Sequence, residues 1–256
     1  MDLLLYRVDA GIARITLNRP EKRNALNPEL IAALSEALAL SARDAKVRVV
    51  LIAGAGKDFC AGLDLVSMDT GKEADALEHL ASAQNLAAVL LAIRRHPQPV
   101  VAAVRGRALG GGAGIATACD LILAAESAAL GYPEVKIGFV PAMVAALLRR
   151  SVTDKRMFEL LVGGEPVAAP EAKTIGLINQ VFGDAEFDAR VDGYVKNLTS
   201  KSASALSLTK QLLYHTDGMT LEKAIEAGVM MNAVSRSTED AKRGFAGFRA
   251  GVKKKG

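Results

Sequence analysis

Two short runs rich in apolar and β-branched residues, 3–8 and 11–17, flank Asp9-Ala10-Gly11 and predict a β-hairpin. Asn27-Pro28-Glu29 then carries the signals of a helix start. Asn is a capping residue, Pro fits the first helical position, and Glu suits the positive end. Leu30, Leu34 and Leu38 follow at a spacing of four and give that helix one apolar face. Val47–Ala53 reads as a buried strand closed by Gly54-Ala55-Gly56, and 57–67 as a loop. Residues 74–95 predict a long amphipathic helix, which Pro97 and Pro99 terminate before a strand at Val100–Val104. A glycine cluster, a short helix and a strand at Leu121–Ala124 come next. From about residue 141 helices dominate, apart from a strand at Leu177–Phe182, and the last four helices are expected at 185–199, 202–213, 220–235 and 238–249. Strand–helix alternation with a helical tail argues for the α/β class, and periodicity alone would suggest a doubly wound sheet.

Composition changes this picture little. Half of the 256 residues are apolar and none is Trp, an ordinary balance for a helix-rich globular chain. Two cysteines, Cys60 and Cys119, cannot build a disulfide framework, and neither has a CxxC neighbour. A reducing, cytoplasmic setting is the expectation. The N-terminus lacks a basic leader, and no stretch approaches the roughly 20 consecutive apolar residues of a membrane span, so no membrane association is expected. The net charge is +4. The basic residues are dispersed except at Lys253-Lys254-Lys255, which reads as a solvated end and gives little support to nucleic-acid binding.

Two glycine-rich turns, each after a predicted buried strand, carry the chemistry. They are Gly56-Lys57-Asp58-Phe59-Cys60-Ala61-Gly62-Leu63-Asp64-Leu65 and Arg105-Gly106-Arg107-Ala108-Leu109-Gly110-Gly111-Gly112-Ala113-Gly114. Consecutive glycines let the backbone approach a ligand, and three of them before a helix leave unpaired N–H groups at its positive end. Such groups hold a phosphate, stabilise a charge that develops during reaction, or merely pack strand against helix. Gly110–Gly114 spells GGGAG rather than GxGxxG, and no Gly-Lys-Ser/Thr P-loop is present. No Ser/His/Asp constellation or metal-ligand spacing emerges.

Together the turns resemble the enoyl-CoA hydratase/isomerase (crotonase) superfamily. Further motifs keep the family order: Thr16 to Leu26 (TLNRPEKRNAL), Pro99 to Val104, Cys119-Asp120, Gly131 to Gly138 (GYPEVKIG) and Ala172 to Ile178. The resemblance implies a crotonase-like ββα spiral over residues 1–195, with a C-terminal helical trimerisation region at 196–256. A homotrimer or dimer of trimers, an acyl-CoA thioester as substrate, and no metal or redox cofactor also follow from it. By position, Leu63 and Gly111 would supply the two N–H groups of an oxyanion hole. Ala25, Ala61, Asp64 and Leu65 would line the CoA path, Lys22 and Arg23 would meet its phosphates, and Phe248 would approach CoA from a neighbouring subunit. Gly251 stands where the family carries a lysine near that aromatic.

The resemblance also marks a departure. Family hydratases commonly use two glutamates, although some hydratase-like members with branched acyl substrates carry GGGxG with Glu-Val-Lys, as here. Of the two glutamates, one corresponds to Glu134, the principal acid/base here; the other falls at Gly114, which has no side chain. Hydration of a 2-enoyl-CoA is the first expectation. Isomerisation of a 3-enoyl-CoA to a 2-enoyl-CoA by Glu134 alone is the alternative within enzymes, and a catalytically decayed acyl-CoA- or RNA-binding protein is the alternative of another class. A dehalogenase would want an Asp nucleophile after Glu134, but Val135–Leu148 contains no carboxylate. Asp69 and His79 lie in the variable segment after the first turn, His96 at a helix end suggests a capping role, and His215 belongs to the helical tail. Cys60 takes a small apolar position rather than that of a nucleophile.

Overall fold

The structure is a computed structural model and describes residues 2–65 and 75–253, with side chains to residue 249. The hairpin forms as β1 (Leu4–Asp9) and β2 (Ile12–Leu17), paired antiparallel from Leu4–Leu17 to Asp9–Ile12. Helix α1 (Pro28–Arg43) begins as the sequence predicts: the Asn27 side chain accepts the Leu30 N–H at 3.0 Å, and Pro28 occupies the first turn. Its leucine stripe, Leu30, Leu34 and Leu38, is buried. Strand β3 (Val49–Gly54) starts two residues later than expected.

Helix α2 (Ala76–Arg95) is capped by Asp75, whose side chain accepts from Leu77 and Glu78 N–H while Glu78 reaches back to Asp75 N–H. By length and composition α2 could cross a bilayer, with a mean hydropathy of 1.3 over an 18-residue window, so the expectation that no stretch comes near a span needs correcting for this helix. It lies instead against α1 and the short helix that follows the glycine triplet, burying Leu86, Val89, Leu90 and Ile93.

Strands β4 (Val100–Val104), β6 (Leu121–Ala125) and β9 (Gln180–Phe182) complete a six-stranded sheet of order β1-β2-β3-β4-β6-β9, parallel from β2 onward. A second, smaller sheet joins β5 (Arg107–Leu109), β7 (Ala129–Gly131) and β8 (Val167–Ala168). Isolated bridges prolong it, Cys60 to Ala108 and Leu63 to Leu26. Each pass of the chain therefore lays one strand in the large sheet, one short segment in the small sheet, and then a helix. After β2 comes the Leu26 segment and α1; after β3, Cys60–Leu63 and α2; after β4, β5 and α3 (Gly111–Ala118); after β6, β7 and α4 (Ala142–Leu148). This is a ββα spiral and corrects the doubly wound sheet that periodicity alone would suggest. The large-sheet strands are near-continuous apolar runs because both faces are covered.

Helices α5 (Asp154–Gly163), α6 (Ala169–Thr174) and α7 (Phe187–Thr199) finish the body, α7 burying Phe187, Val191 and Val195. Beyond Ser200 the character changes. Helix α8 (Ala203–His215) buries only Lys210, and α9 (Leu221–Ser237) buries no residue; α10 (Glu239–Lys253) ends the described chain. The expected strand over 177–182 is confined to Gln180–Phe182, with Leu177 and Ile178 buried just before it.

Candidate active site

The two glycine-rich turns are stitched together mainly by backbone. Cys60 N–H donates to Arg107 O at 3.1 Å, and Leu109 N–H donates to Cys60 O at 2.9 Å. Two glycines permit this approach. A Cβ at Gly106, where φ is +59°, would lie 2.1 Å from Lys57 O, and one at Gly112 would lie 2.5 Å from Cys60 O and 2.7 Å from its Sγ. Asp58 spans the same gap with side chains, accepting from Arg107 Nε and Nη2 at 3.0 Å each and from its N–H at 2.9 Å. The Arg107 hydrogen bond holds the Asp58 carboxyl below the usual range, against the effect of its burial.

Asn24, fully buried at φ +56°, ties the first motif to the loop. Its Nδ2 donates to Ala55 O and Asp58 O at 2.9 and 2.8 Å, and its Oδ1 accepts Arg19 N–H. Cys60 Sγ donates to Asn24 O at 3.1 Å, and burial pushes this thiol up to about 12, so it is not a poised thiolate nucleophile.

Leu63 sits where Gly62 O accepts Leu26 N–H (2.7 Å) and Asp64 N–H donates to Leu26 O (2.9 Å). Strand alternation then directs the Leu63 N–H to the opposite side. Helix α3 starts at Gly111 after Gly110 (φ +50°, ψ −122°), and its first helical bond is Gly114 N–H to Gly110 O at 2.9 Å. The amides of Gly111, Gly112 and Ala113 precede that bond and have no partner within the helix. A Cβ built on Gly62 would come within 3.6 Å of Gly111 N, so the two donor segments are neighbours.

Glu134 lies in a 3-10 turn, Pro133–Ile137, closed by Gly138 in the left-handed region. Tyr132, fully buried just before it, shares a 2.7 Å hydrogen bond with Thr117 Oγ1 and so fixes this turn to α3. The Glu134 Oε1 is 3.3 Å from where a Gly110 Cβ would lie, while Oε2 is buried and has no hydrogen-bond partner among the described residues. Burial raises the Glu134 carboxyl above its ordinary 4.5, partly offset by its own backbone N–H.

Leu63, Gly111 and Glu134 line one cavity of about 300 Å³, whose other walls are apolar: Leu86 and Leu90 from α2, Phe139 and Val140 at the mouth, Met143 and Val144 from α4. Position 114 faces this apolar side. A Cβ there would meet Val144 Cγ2 at 2.9 Å and Leu90 Cδ2 at 3.9 Å. The space that a second glutamate would enter is thus filled by an isopropyl group.

The other expected residues distribute as follows. Lys22 and Arg23 are exposed at the end of the 3-10 turn Pro20–Lys22. Ala25 and Ala61 are half-buried beside each other's segments, with Ala61 N–H bonded to Arg23 O. The Asp64 carboxylate pairs with Arg19 at 2.9 Å, and Arg19 also donates to Ala25 O. Leu65 is exposed, and Phe248 stands on α10, 75% exposed. Asp69, Lys254 and Lys255 lie outside the described residues, as does the side chain of Lys253; Gly251 falls within the last helix described. His79 and His215 are exposed. His96 does end α2, its N–H bonded to Ile93 O, but its ring is buried on Ser41 and Gln98. Sequence reasoning missed Val144, Thr117, Asp58 and the clamp by Asn24, whose partners lie far away along the chain.

The profile of the family described as Enoyl-CoA hydratase/isomerase matches residues 7–254. A Thermus thermophilus protein, whose name assigns it provisionally to the enoyl-CoA hydratases, is 39% identical over 245 residues, 95% of this chain and 97% of its own length. The (E)-benzylidenesuccinyl-CoA hydratase of Thauera aromatica is 34% identical over 94% of this chain and 93% of its own. The crystal structure of an enoyl-CoA hydratase from Mycobacterium smegmatis superposes with a TM-score of 0.94 at 33% identity, covering 98% of this chain and 97% of that one. The chain belongs to the enoyl-CoA hydratase/isomerase family and has its crotonase fold. Members of that family act on acyl-CoA substrates.

Proposed function

We propose that this protein adds water across the double bond of a 2-enoyl-CoA, with Glu134 as its acid/base. The observation that carries the reading is the buried Glu134 Oε2, which has no donor among the described residues and belongs to the cavity shared with Leu63 and Gly111. Such an oxygen suits a donor that arrives with the substrate, and water is the smallest. Hydratase names among the relatives support the same choice.

The thioester carbonyl sits under the Leu63 and Gly111 N–H groups, and a water donates one O–H to Oε2. As its oxygen bonds to C3, its proton passes to the carboxylate and the π electrons move through C2 onto the thioester oxygen. The two amides stabilise that enolate charge, a device worth about 2.7–4 kcal/mol per donor in other acyl-transfer sites. The carboxylic acid then protonates C2, the carbonyl re-forms, and Glu134 is ionised again. One water enters and no electrons leave, so the reaction as drawn uses no redox group, and the two amides meet the enolate charge; CoA arrives as part of the substrate. Lys22 and Arg23 serve as phosphate contacts, with Ala25, Ala61, Asp64 and Leu65 along the CoA path. Exposed Leu221, Val229 and Met230 on α9 support assembly with further copies, the setting in which Phe248 would reach a neighbour's CoA.

A second reading, isomerisation of 3-enoyl-CoA, is favoured by one observation: Val144 and Leu90 take the place of a second water-holding carboxylate. A proton carried from C2 to C4 by Glu134 needs no water. Parallel assays on 2-enoyl- and 3-enoyl-CoA decide between them. Formation of 3-hydroxyacyl-CoA, lowered at least about 10²-fold by Glu134→Gln, is expected. Conversion of 3-enoyl to 2-enoyl-CoA without any hydroxyl product would replace hydration with isomerisation.

A further inference from the structure

The segments that carry Leu63 and Gly111 run parallel and share two backbone hydrogen bonds, Cys60 N–H to Arg107 O and Leu109 N–H to Cys60 O. A parallel ladder in this register has a next rung at each end. Upstream, Arg107 N–H would donate to the Asp58 carbonyl; downstream, Gly111 N–H would donate to Gly62 O. Neither rung forms among the described residues. The Asp58 carbonyl accepts Asn24 Nδ2 at 2.8 Å, and Gly62 O accepts Leu26 N–H at 2.7 Å. Downstream, this leaves the Gly111 amide to the reaction centre. Upstream, the Asp58 carboxylate takes the place of its own carbonyl. Its Oδ1 accepts Arg107 N–H at 2.9 Å, and the Arg107 guanidinium closes on both oxygens, Nε on Oδ1 and Nη2 on Oδ2, at 3.0 Å each.

We propose that Asp58 and Arg107 are positioning residues of the oxyanion hole: their ion pair fixes the register of the two segments and with it the spacing of the Leu63 and Gly111 donors. The inference rests on the reading of those two amides as the oxyanion hole but not on which reaction follows. Asp58 lies five residues before Leu63 and Arg107 four before Gly111, so the pair grips both segments upstream of their donors. A two-point fork is directional, and sliding one segment along the other strains both charge-assisted bonds at once. Asp58 is buried while Arg107 is exposed, so the carboxylate depends on this partner rather than on water. An oxyanion donor acts from about 2.7–3.1 Å, so even a small shift between the segments is felt in the transition state.

A saturated ester reads the donors without turnover. Butyryl-CoA labelled with carbon-13 at its thioester carbonyl is bound to each protein and measured by difference infrared spectroscopy, because hydrogen bonds lower the C=O stretching frequency. Wild type should show a clear downward shift relative to the ester in water. Asp58→Asn keeps an acceptor for Arg107 N–H and should retain most of that shift. Arg107→Gln leaves a buried carboxylate without its cation and should lose stability as well as shift. Asp58→Ala combined with Arg107→Gln leaves no such charge, so its urea midpoint should return toward that of wild type. Its carbonyl shift should not return, staying at no more than about half of the wild-type value. In that double variant kcat should fall about ten- to a hundredfold, the cost of misplaced reacting groups, with KM changed less than about threefold. A full carbonyl shift in the double variant overturns the inference and leaves the oxyanion hole standing. If wild type binds the ester and shows no shift, the oxyanion reading falls, and the inference with it.

Discussion

The glycine turns around α3 and the C-terminal helices α8–α10 are held in opposite ways. Around α3 the important contacts are backbone approaches that a single Cβ would block, at Gly106 and Gly112, and all eight residues of α3 are buried. In the C-terminal region the buried contacts are polar side chains. Lys210 Nζ donates to Ile93 O and Gln98 O at 2.9 and 3.2 Å and pairs with Asp120 at 2.8 Å. Tyr214 OH donates to the same Asp120, Arg94 stacks 3.6 Å over the Tyr214 ring, and Asp240 joins α10 to Ser202 and Ser204. Meanwhile Leu221, Ile225, Val229 and Met230 face outward. A region built on backbone proximity holds its donors between strands that leave no room for a side chain. A region docked by a few ion pairs keeps its apolar side chains free for another surface.

The largest expected effect tests whether chemistry and stability are separate in the first region. Glu134→Gln should lower turnover about 10²–10⁴-fold, the range of a lost general acid/base. It should not destabilise the fold, because it removes a carboxylate whose ionised form burial disfavours. For an acid raised in the folded state, the penalty is absent below the unfolded value and complete above the folded one. The variant should therefore equal or exceed wild type in urea midpoint at pH 8. In wild type the proton-accepting form is lost as pH falls through the raised value, so the acid limb of kcat/KM should lie above pH 4.5. A limb at or below 4.5, or full turnover by the glutamine variant, would remove Glu134 from the mechanism.

Next in size is the polar anchor of the second region. Lys210→Ala leaves Asp120, whose side chain is 15% exposed, without its cation and should cost about 3 kcal/mol in equilibrium unfolding. Burial already lowers the Lys210 pKa, with Asp120 opposing that shift, so the charge there depends on its partner. Lys210→Met combined with Asp120→Asn should recover part of the loss, since no buried charge is then left alone. A double variant no better than Lys210→Ala would mean that the anchor works through packing rather than through the ion pair.

The two regions also differ in what a reader of the sequence can extract. Long apolar periodicities locate α1, α2, β4 and the C-terminal helices to within a few residues, because a face of 3.6-residue or a run of buried residues repeats its signal. Strands β5, β7 and β8 are three, three and two residues long, too short to show any period, so the small sheet and hence the spiral cannot be read from pattern alone. Motif order supplied that architecture through the family resemblance, and with it Leu63, Gly111 and Glu134. It could not supply Val144, thirty positions beyond Gly114, since nothing local links the two. Asn24 stood inside a quoted motif, yet its grip on Ala55 and Asp58 exists only once the chain has folded.

A smaller effect concerns pH and the seam where α1 and α2 meet the C-terminal anchor. His96 is buried with Nε2 on Ser41 Oγ at 3.0 Å and Nδ1 accepting Gln98 N–H, and it faces Lys210 and Asp120. Burial lowers it from 6.5 to about 4, opposed by the Gln98 carbonyl oxygen, which lies 3.2 Å from Nδ1 and would accept from the protonated ring. A histidine depressed in the folded state contributes stability above pH 6.5 that is lost as pH falls toward 4. Roughly 2 kcal/mol should disappear between pH 7 and pH 4.5. The imidazole should remain neutral by NMR at pH 5.5, and an imidazolium there would contradict this seam.

The smallest effect belongs to the rim of the first region, where side chains rather than backbone make the expected contacts. Lys22 and Arg23 are exposed, and Arg23 closes its 3-10 turn at φ +52° with its N–H on Pro20 O. Glutamine is shorter but polar and unbranched, so Lys22→Gln and Arg23→Gln remove the charge while leaving a hydrogen-bonding side chain at both exposed sites. Exposed ion pairs are worth about 0.2–1 kcal/mol, so each variant should raise KM no more than about fivefold and leave kcat unchanged. Screening supplies the control. In 0.5 M salt, where the Debye length is only a few ångströms, the difference from wild type should largely vanish. A drop in kcat instead would place these cations nearer the reacting atoms than an outer phosphate contact allows, and a KM effect indifferent to salt would assign them to packing of the turn.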